Sequence, residues 1–299
     1  MPMRITQSMI SNQLLRNVNS NLGKLDGLQN QLSSGRRINK PSDDPVGITY
    51  GLRYRSELSS NEQHKKNVDT AVSWLDYTES TLGQATDVMQ RVRELAVKGA
   101  NGTNPKDAME SIKLEVIQLR EQLRDIANSK LNDKYIFNGQ LTDQAPYPDA
   151  AAAASKGTDT FQTRYEVGAG VELPVNITGN EVFGLTTDTD NTFLVMDQLI
   201  TALGNNNQAV VSDLLGSVNS RLGKFISARS EIGARSTRVE LVQDRLQELN
   251  TNLTGLQAKV EDADMTMLIM ELKTNESVYQ ASLSIGSQII RPSLLDFLR

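Results

Sequence analysis

The chain contains no cysteine. That excludes a disulfide framework, a zinc–thiolate site and a thiol nucleophile. Histidine occurs once, as His64, so a multi-histidine metal site cannot be built. His64 falls on a polar stretch of a long helical segment, where solvent is its expected neighbour. Aromatic residues are scarce at 5%, with a single Trp, although 38% of the chain is hydrophobic. A large globular core normally uses more aromatics, which favours thin helical layers. Basic charge is also thin. The net charge is −5, and no basic cluster exceeds Arg36-Arg37 or Lys65-Lys66, which argues against nucleic acid as a partner. No apolar run approaches the roughly 20 residues needed to span a bilayer, so no membrane partner is expected. The N-terminus, MPMRITQSMISNQLL, has one Arg and no continuous apolar stretch, unlike a secretory signal peptide. Taken alone that points to the cytoplasm, with a dedicated export machine as the exception. There is no P-loop, no dinucleotide-binding Gly-rich turn, no H-E-x-x-H and no G-x-S-x-G. No cofactor, catalytic residue or metal site is therefore expected, and the chain does not read as an enzyme.

What the chain does have is heptads. Leu15, Val18, Leu22, Leu25 and Leu32 alternate spacings of three and four, with Gln29 as the one miss, and form a coiled-coil seam. A seam resumes at Ala71, Leu75, Thr78, Leu82, Ala85, Met89, Val92 and Ala96, predicting a helix from Pro45 to Lys98. Gly99-Ala-Asn-Gly102 stops it. Asn104 then caps, and Pro105 starts, a helix with the seam Met109, Ile112, Val116, Leu119, Leu123 and Ile126. Asn191 or Thr192 caps a helix to Leu203. The last seam runs Val211, Leu214, Val218, Phe225, Ala228, Ile232, Val239, Val242, Leu246, Leu249, Leu253, Leu256, Val260, Ala263, Met267 and Met270. Only Arg221 and Arg235 interrupt it. The methionines Met265, Met267 and Met270 read as gap-filling core. Leu272, Leu283, Ile285 and Ile289 extend the apolar pattern, Pro292 breaks it, and Leu294, Leu295 and Phe297 form an apolar tail.

The expected fold class is mainly α: an elongated rod of long antiparallel coiled-coil helices with a small β-rich insertion. Residues 1–44 and 255–299 form a terminal coiled-coil domain, disordered in the monomer and ordered on assembly. Residues 45–139 and 191–254 form a helical rod. Residues 140–190 form a small exposed insertion, with a hairpin from 161–167 and 171–177 and a short strand at 181–185. Tyr135-Ile-Phe137 reads as another short strand.

Between the first two seams lies a hinge loop: Gly35, Arg36, Arg37, Asn39, Pro41, Asp43, Asp44 and Pro45. Gly35 suits the left-handed end of the first helix, and Arg36 and Arg37 complement its negative pole. Asp44 caps the next helix and Pro45 occupies its first turn. Adjacent carboxylates before a proline read as capping, not as an acid/base pair.

Leu32-Ser-Ser-Gly35, Arg37-Ile-Asn39 and Asp43-Asp44 with Gly47 resemble the N-terminal signature of the bacterial flagellin family. The variant Lys40-Pro-Ser-Asp-Asp-Pro45 is closer to its hook-associated branch than to filament subunits. Ile232-Gly-Ala-Arg235, Val260-Glu-Asp-Ala-Asp-Met265, Met270-Glu-Leu272, Gln280-Ala-Ser-Leu283 and Ser293-Leu-Leu295 are similar to the family's C-terminal motifs. The resemblance implies a flagellar subunit outside the cell, exported through the flagellar secretion channel without a cleaved signal. It implies a junction ring between hook and filament, with terminal helices lining the inner tube. The implied partners are other copies of itself, a neighbouring hook-associated junction protein, flagellin and an export chaperone. A filament subunit is the alternative, and a cytoplasmic coiled-coil scaffold a third reading.

Overall fold

A computed structural model of the chain describes residues 7–101, 105–149 and 153–289. It is mainly α. The helices are α1 (Gln7–Ser34), α2 (Pro45–Ala100), α3 (Lys106–Ala127), the short α4 (Gly179–Phe183), α5 (Thr192–Gly204), α6 (Gln208–Glu261) and α7 (Met265–Ile289). Two small antiparallel sheets accompany them: β1 (Lys130–Leu131) with β2 (Lys134–Tyr135), and β3 (Arg164–Gly168) with β4 (Val171–Pro174). Contacts divide the chain into two units, Met1–Ser60 with Leu249–Arg299, and Asn61–Glu248. The sequence placed these boundaries at 44/45 and 254/255.

The larger unit is organised by the seams. All eight α2 seam positions, from Ala71 to Ala96, are fully buried. They meet Met109, Val116 and Leu123 of α3 and Val211, Val218, Phe225, Ile232 and Val239 of α6 in one core. The small side chains Ala71, Ala85 and Ala96 allow close helix approach. Arg91 of α2 pairs with Glu115 of α3 at 2.7 Å. Against α6, Arg93 meets Asn219 and Glu79 meets Arg229, while Asp69 meets Gln243 and Asn61 donates to the Leu246 carbonyl at 3.0 Å. As one number falls the other rises, so α2 and α6 are antiparallel here. Buried Asn61 pins the register, because a slip would leave its amide unpaired. His64 is half-buried, not solvated as the polar stretch suggested.

The two arginines that interrupt the α6 seam are the points where α6 holds the 140–190 segment. Arg221 is 2% exposed. Its Nε donates to the Asp190 carbonyl at 2.8 Å and its Nη2 to Asp190 Oδ1 at 2.5 Å. Its Nη1 reaches the Val182 carbonyl at 3.3 Å. Burial alone would raise the Asp190 pKa, but hydrogen bonds from Ser220 and Arg221 and the guanidinium charge outweigh it and hold the carboxyl below its usual value. Arg235 Nη1 donates to the Asn176 carbonyl at 2.7 Å.

The segment is not an exposed excursion. Tyr147, Val167, Leu173, Val175, Ile177, Val182 and Phe183 are buried in the same core as the helices. Phe183 is the hub of an aromatic cluster, with ring centroids 5.4 Å from Phe137, 5.6 Å from Tyr147, 5.8 Å from Phe193 and 5.5 Å from Phe225. The scarce aromatics are concentrated where irregular chain must be tied to helices. The strand expected at 181–185 is instead α4. Its start, Thr178-Gly-Asn-Glu181, is a capping box in which the Thr178 N–H donates to Glu181 Oε2 at 3.0 Å. The hairpin is shorter than its alternating pattern, and the 135–137 strand ends at Tyr135, with Ile136 and Phe137 turned into the core. Asn191 caps α5, accepting from Phe193 N and Leu194 N. The cap expected at Asn104 lies outside the described residues.

Replacing residues 145–185 by a Gly/Ser linker should therefore lower the midpoint of helical unfolding followed by circular dichroism, since it strips the Tyr147 and Phe183 rings from Phe193 and Phe225. Arg221→Met should cost on the order of 3 kcal/mol, because it leaves Asp190 and two carbonyls without their buried partner. Chemical denaturation would measure it.

Candidate functional site

The smaller unit is built on α1 and α7, which pack against one another. On α1 the covered face is Leu14, Val18, Asn21, Leu25, Leu28 and Leu32. On α7 it is Leu268, Leu272, Asn275, Tyr279, Ser282 and Gly286. Both alternate spacings of three and four. Asn21 Nδ2 donates to Ser282 Oγ at 3.2 Å. A Cβ added at Gly286 would lie 2.8 Å from Leu14 Cδ2, so a side chain there would push the Leu14 side chain aside.

The α1–α7 contact uses some of the positions expected for the assembly seam and leaves others in solvent. Val18, Leu25, Leu32, Val260 and Leu272 are half-buried and Leu253 is buried. Leu15, Leu22, Leu256, Met267, Met270, Leu283 and Ile285 are exposed. Met265 is exposed too, so the methionines do not fill a core here. On α7 the phase follows from a break in what the heptads suggested was one helix. α6 ends at Glu261, and α7 starts in a new phase after Asp264. Asp264 Oδ1 caps it, accepting from Thr266 N at 2.9 Å and Met267 N at 3.1 Å. Leu268 then turns inward in place of Met267. The Asp262-Ala-Asp264 spacing carried that signal, but the unbroken apolar count hid it. Ile289 ends α7, and Leu294, Leu295 and Phe297 lie outside the described residues.

The loop 35–44 is clasped to this break. Gly35 has φ +70°, the left-handed conformation that ends α1. The Arg37 N–H donates to the Glu261 carbonyl at 2.7 Å, and the Ala263 N–H to the Gly35 carbonyl at 3.1 Å. Arg36 and Asp262 form the intervening antiparallel bridge. Arg37 Nη2 reaches the Val260 carbonyl at 3.0 Å and lies 3.6 Å from Asp44 Oδ2. Asn39 Nδ2 donates to the Arg36 carbonyl at 3.2 Å. Asp43 Oδ2 accepts from Asn39 N at 3.0 Å and Lys40 N at 2.8 Å, and these backbone donors hold its carboxyl below the usual range. Asp44 Oδ1 caps α2, accepting from Val46 N at 3.2 Å and Gly47 N at 2.8 Å. Pro41 is exposed and Pro45 opens α2. Ile38 is buried beneath the loop, and a Cβ at Gly47 would sit 2.6 Å from its Cδ1.

Among the described residues no cluster of His, Asp or Glu could hold a metal ion, and no helix is long and apolar enough to cross a membrane. What α7 offers is a second stripe, Met267, Met270, Val278 and Ile285, exposed beside the face that α1 covers. Between α1 and α7 runs a groove of about 770 Å³ lined by Leu22, Leu25, Leu32 and Leu272 among polar residues.

A family model described as the bacterial flagellin N-terminal helical region matches residues 5–142, and one described as the C-terminal helical region matches residues 215–298. The chain belongs to the bacterial flagellin family. Both matches reach the clasp and the terminal helices, and neither includes residues 143–214. The flagellin of Bacillus subtilis is 26% identical over 96% of each chain. Flagellar hook-associated protein 3 of Salmonella typhimurium is 26% identical over 94% of this chain and 95% of its own. The fold is similar to the solved flagellar hook associated protein-3 of Legionella pneumophila, with a TM-score of 0.62 at 16% identity, over 70% of this chain and 98% of that one. This flagellin-family chain is thus a flagellar structural protein of the flagellin and hook-associated type, part of an external organelle and of a family that is structural, not enzymatic. That membership replaces the cytoplasmic scaffold as a reading.

Gly286→Leu should loosen the α1–α7 pair of this flagellin-family protein by about 1–3 kcal/mol through overpacking against Leu14. Leu15→Ser and Leu22→Ser should leave unfolding of the dilute protein within about 0.5 kcal/mol. Denaturant unfolding in dilute solution separates this seam from the one that the heptads alone suggested.

Proposed function

We propose that the chain is a hook–filament junction subunit of the hook-associated protein 3 type. In this reading it forms a ring with copies of itself. It contacts a neighbouring hook-associated junction protein on one side and supports flagellin assembly on the other. It leaves the cell through the flagellar channel, held beforehand by an export chaperone, and its terminal helix pair orders fully on assembly. The observation that carries the assembly role is the second apolar stripe of α7, Met267, Met270, Val278 and Ile285, which a lone subunit leaves in water.

Support for a junction over a filament subunit comes from the clasp sequence. Lys40-Pro-Ser-Asp-Asp-Pro45 places a proline on each side of the aspartates, the variant that resembles the hook-associated branch more than filament subunits. A filament subunit must bind its own kind axially without limit, so its two ends must be mutually complementary. A junction subunit presents different surfaces to hook and filament, and its own stacking stops. The filament subunit is the second reading, favoured by the likeness to Bacillus subtilis flagellin at the same 26% identity.

Purified protein, seeded and given a precipitating salt, should form at most short or irregular aggregates. Cells lacking it should still build hooks and shed flagellin into the medium. Long regular filaments grown from this protein alone would favour the filament reading.

A further inference from the structure

Behind the clasp sits a charge that the assembly reading does not use. The Glu261 side chain is 1% exposed. Its Oε2 accepts from Arg55 Nη2 at 2.6 Å, from Arg55 Nε at 3.2 Å and from Gln257 Nε2 at 3.2 Å. Its Oε1 is buried with no hydrogen-bond partner. Gly51 of α2 leaves the room for it, since a Cβ there would collide with Oε1. The same residue's carbonyl accepts the Arg37 N–H of the clasp at 2.7 Å. One residue thus joins α2 by its side chain and loop 35–44 by its backbone, at the point where α6 ends.

We propose that Glu261 is an acid-released latch: its carboxylate, held by Arg55, keeps loop 35–44 and the break before α7 together, and protonating it frees them. The charged groups that act on it are Arg55 from α2 and Arg36 from the loop, with Arg37 on its backbone carbonyl and Asp262 next to it in the chain. Gln257 from α6 is neutral. Burial pushes the carboxyl up, but hydrogen bonds from Arg55 and Gln257 and the charges of Arg55 and Arg36 outweigh it, so it titrates below its ordinary 4.5. A carboxylate held down in this way stabilises the fold above that value, and the contribution is lost as pH falls through the lowered one. Protonation removes the charge that Arg55 pairs with and leaves a neutral acid beside an uncompensated guanidinium.

The test uses the full chain, labelled with nitrogen-15, and follows the amide signals of Arg37 and Ala263, the two N–H groups of the clasp. In the unaltered protein both should move together in one step below pH 4.5. Glu261→Gln should show the acid positions already at neutral pH and lose that step. The Asn39 and Lys40 amides, which report Asp43, should keep theirs. Arg55→Gln should shift the Glu261 step to higher pH, because burial then acts without its counterweight. Circular dichroism at neutral pH checks that each variant keeps its helix; if Glu261→Gln does not, the Arg55→Gln shift decides. A step unchanged in Glu261→Gln, clasp signals in that variant that match the unaltered protein at neutral pH, or a step unmoved by Arg55→Gln would overturn the latch.

Discussion

A helix with one apolar stripe is stable in water only when another surface covers the stripe. Every long helix in this chain is of that kind. Gly23, Gly27 and a high share of Asn and Ser make α1 a poor helix by itself, so α7 is a condition of its existence. In the larger unit the stripes of α2, α3 and α6, with the 140–190 segment, close over one core from Ala71 to Val239. In the smaller unit two helices share one seam. Two helices cannot enclose apolar surface as three can, so Leu15, Leu22, Met267 and Ile285 remain in water. The difference between a unit that closes on itself and one that does not follows from the number of stripes available to each.

Polar side chains decide how the apolar surfaces align. Aliphatic seams tolerate a slip by one heptad, because one Leu replaces another. Asn61, buried with its amide on the Leu246 carbonyl, does not. Arg221 and Arg235 act in the same way on the 140–190 segment. Their fixed fork of donors meets specific carbonyls, and only one placement of that segment satisfies them. The aromatic cluster around Phe183 supplies the buried area that this irregular stretch needs, and the arginines supply its registration.

In the smaller unit registration is done by backbone. The loop after α1 and the break before α7 exchange hydrogen bonds as two short strands would, and Asp44 and Asp264 cap the helices that leave them. The two interruptions are therefore one structure. Each supplies the partners for the other's exposed N–H and C=O groups, which neither could satisfy alone.

Heptad spacing by itself determined that the chain is mainly α, where α2 and α3 lie and which of their faces is buried. All of that follows from a repeat that a single helix imposes on its own residues. The caps at Asp44 and Asn191 and the glycine stop at Gly35 were equally legible, because capping is local. Tertiary structure decided the rest. Whether Arg221 is an error in a seam or the anchor of a segment depends on where Asp190 and Val182 arrive in space. The capping box at Thr178 to Glu181 was present in the sequence, but alternating apolar residues outweighed it until the core showed Val182 and Phe183 pointing to one side. The phase of α7 was hidden for a similar reason. A heptad count runs through Asp262-Ala-Asp264 without loss, whereas the bonds from Arg37 and Ala263, the Asp264 cap and the burial of Leu268 show that the helix stops there and restarts one step out of register. Periodicity reports the face that a helix presents. It carries no information about the distant backbone that interrupts it.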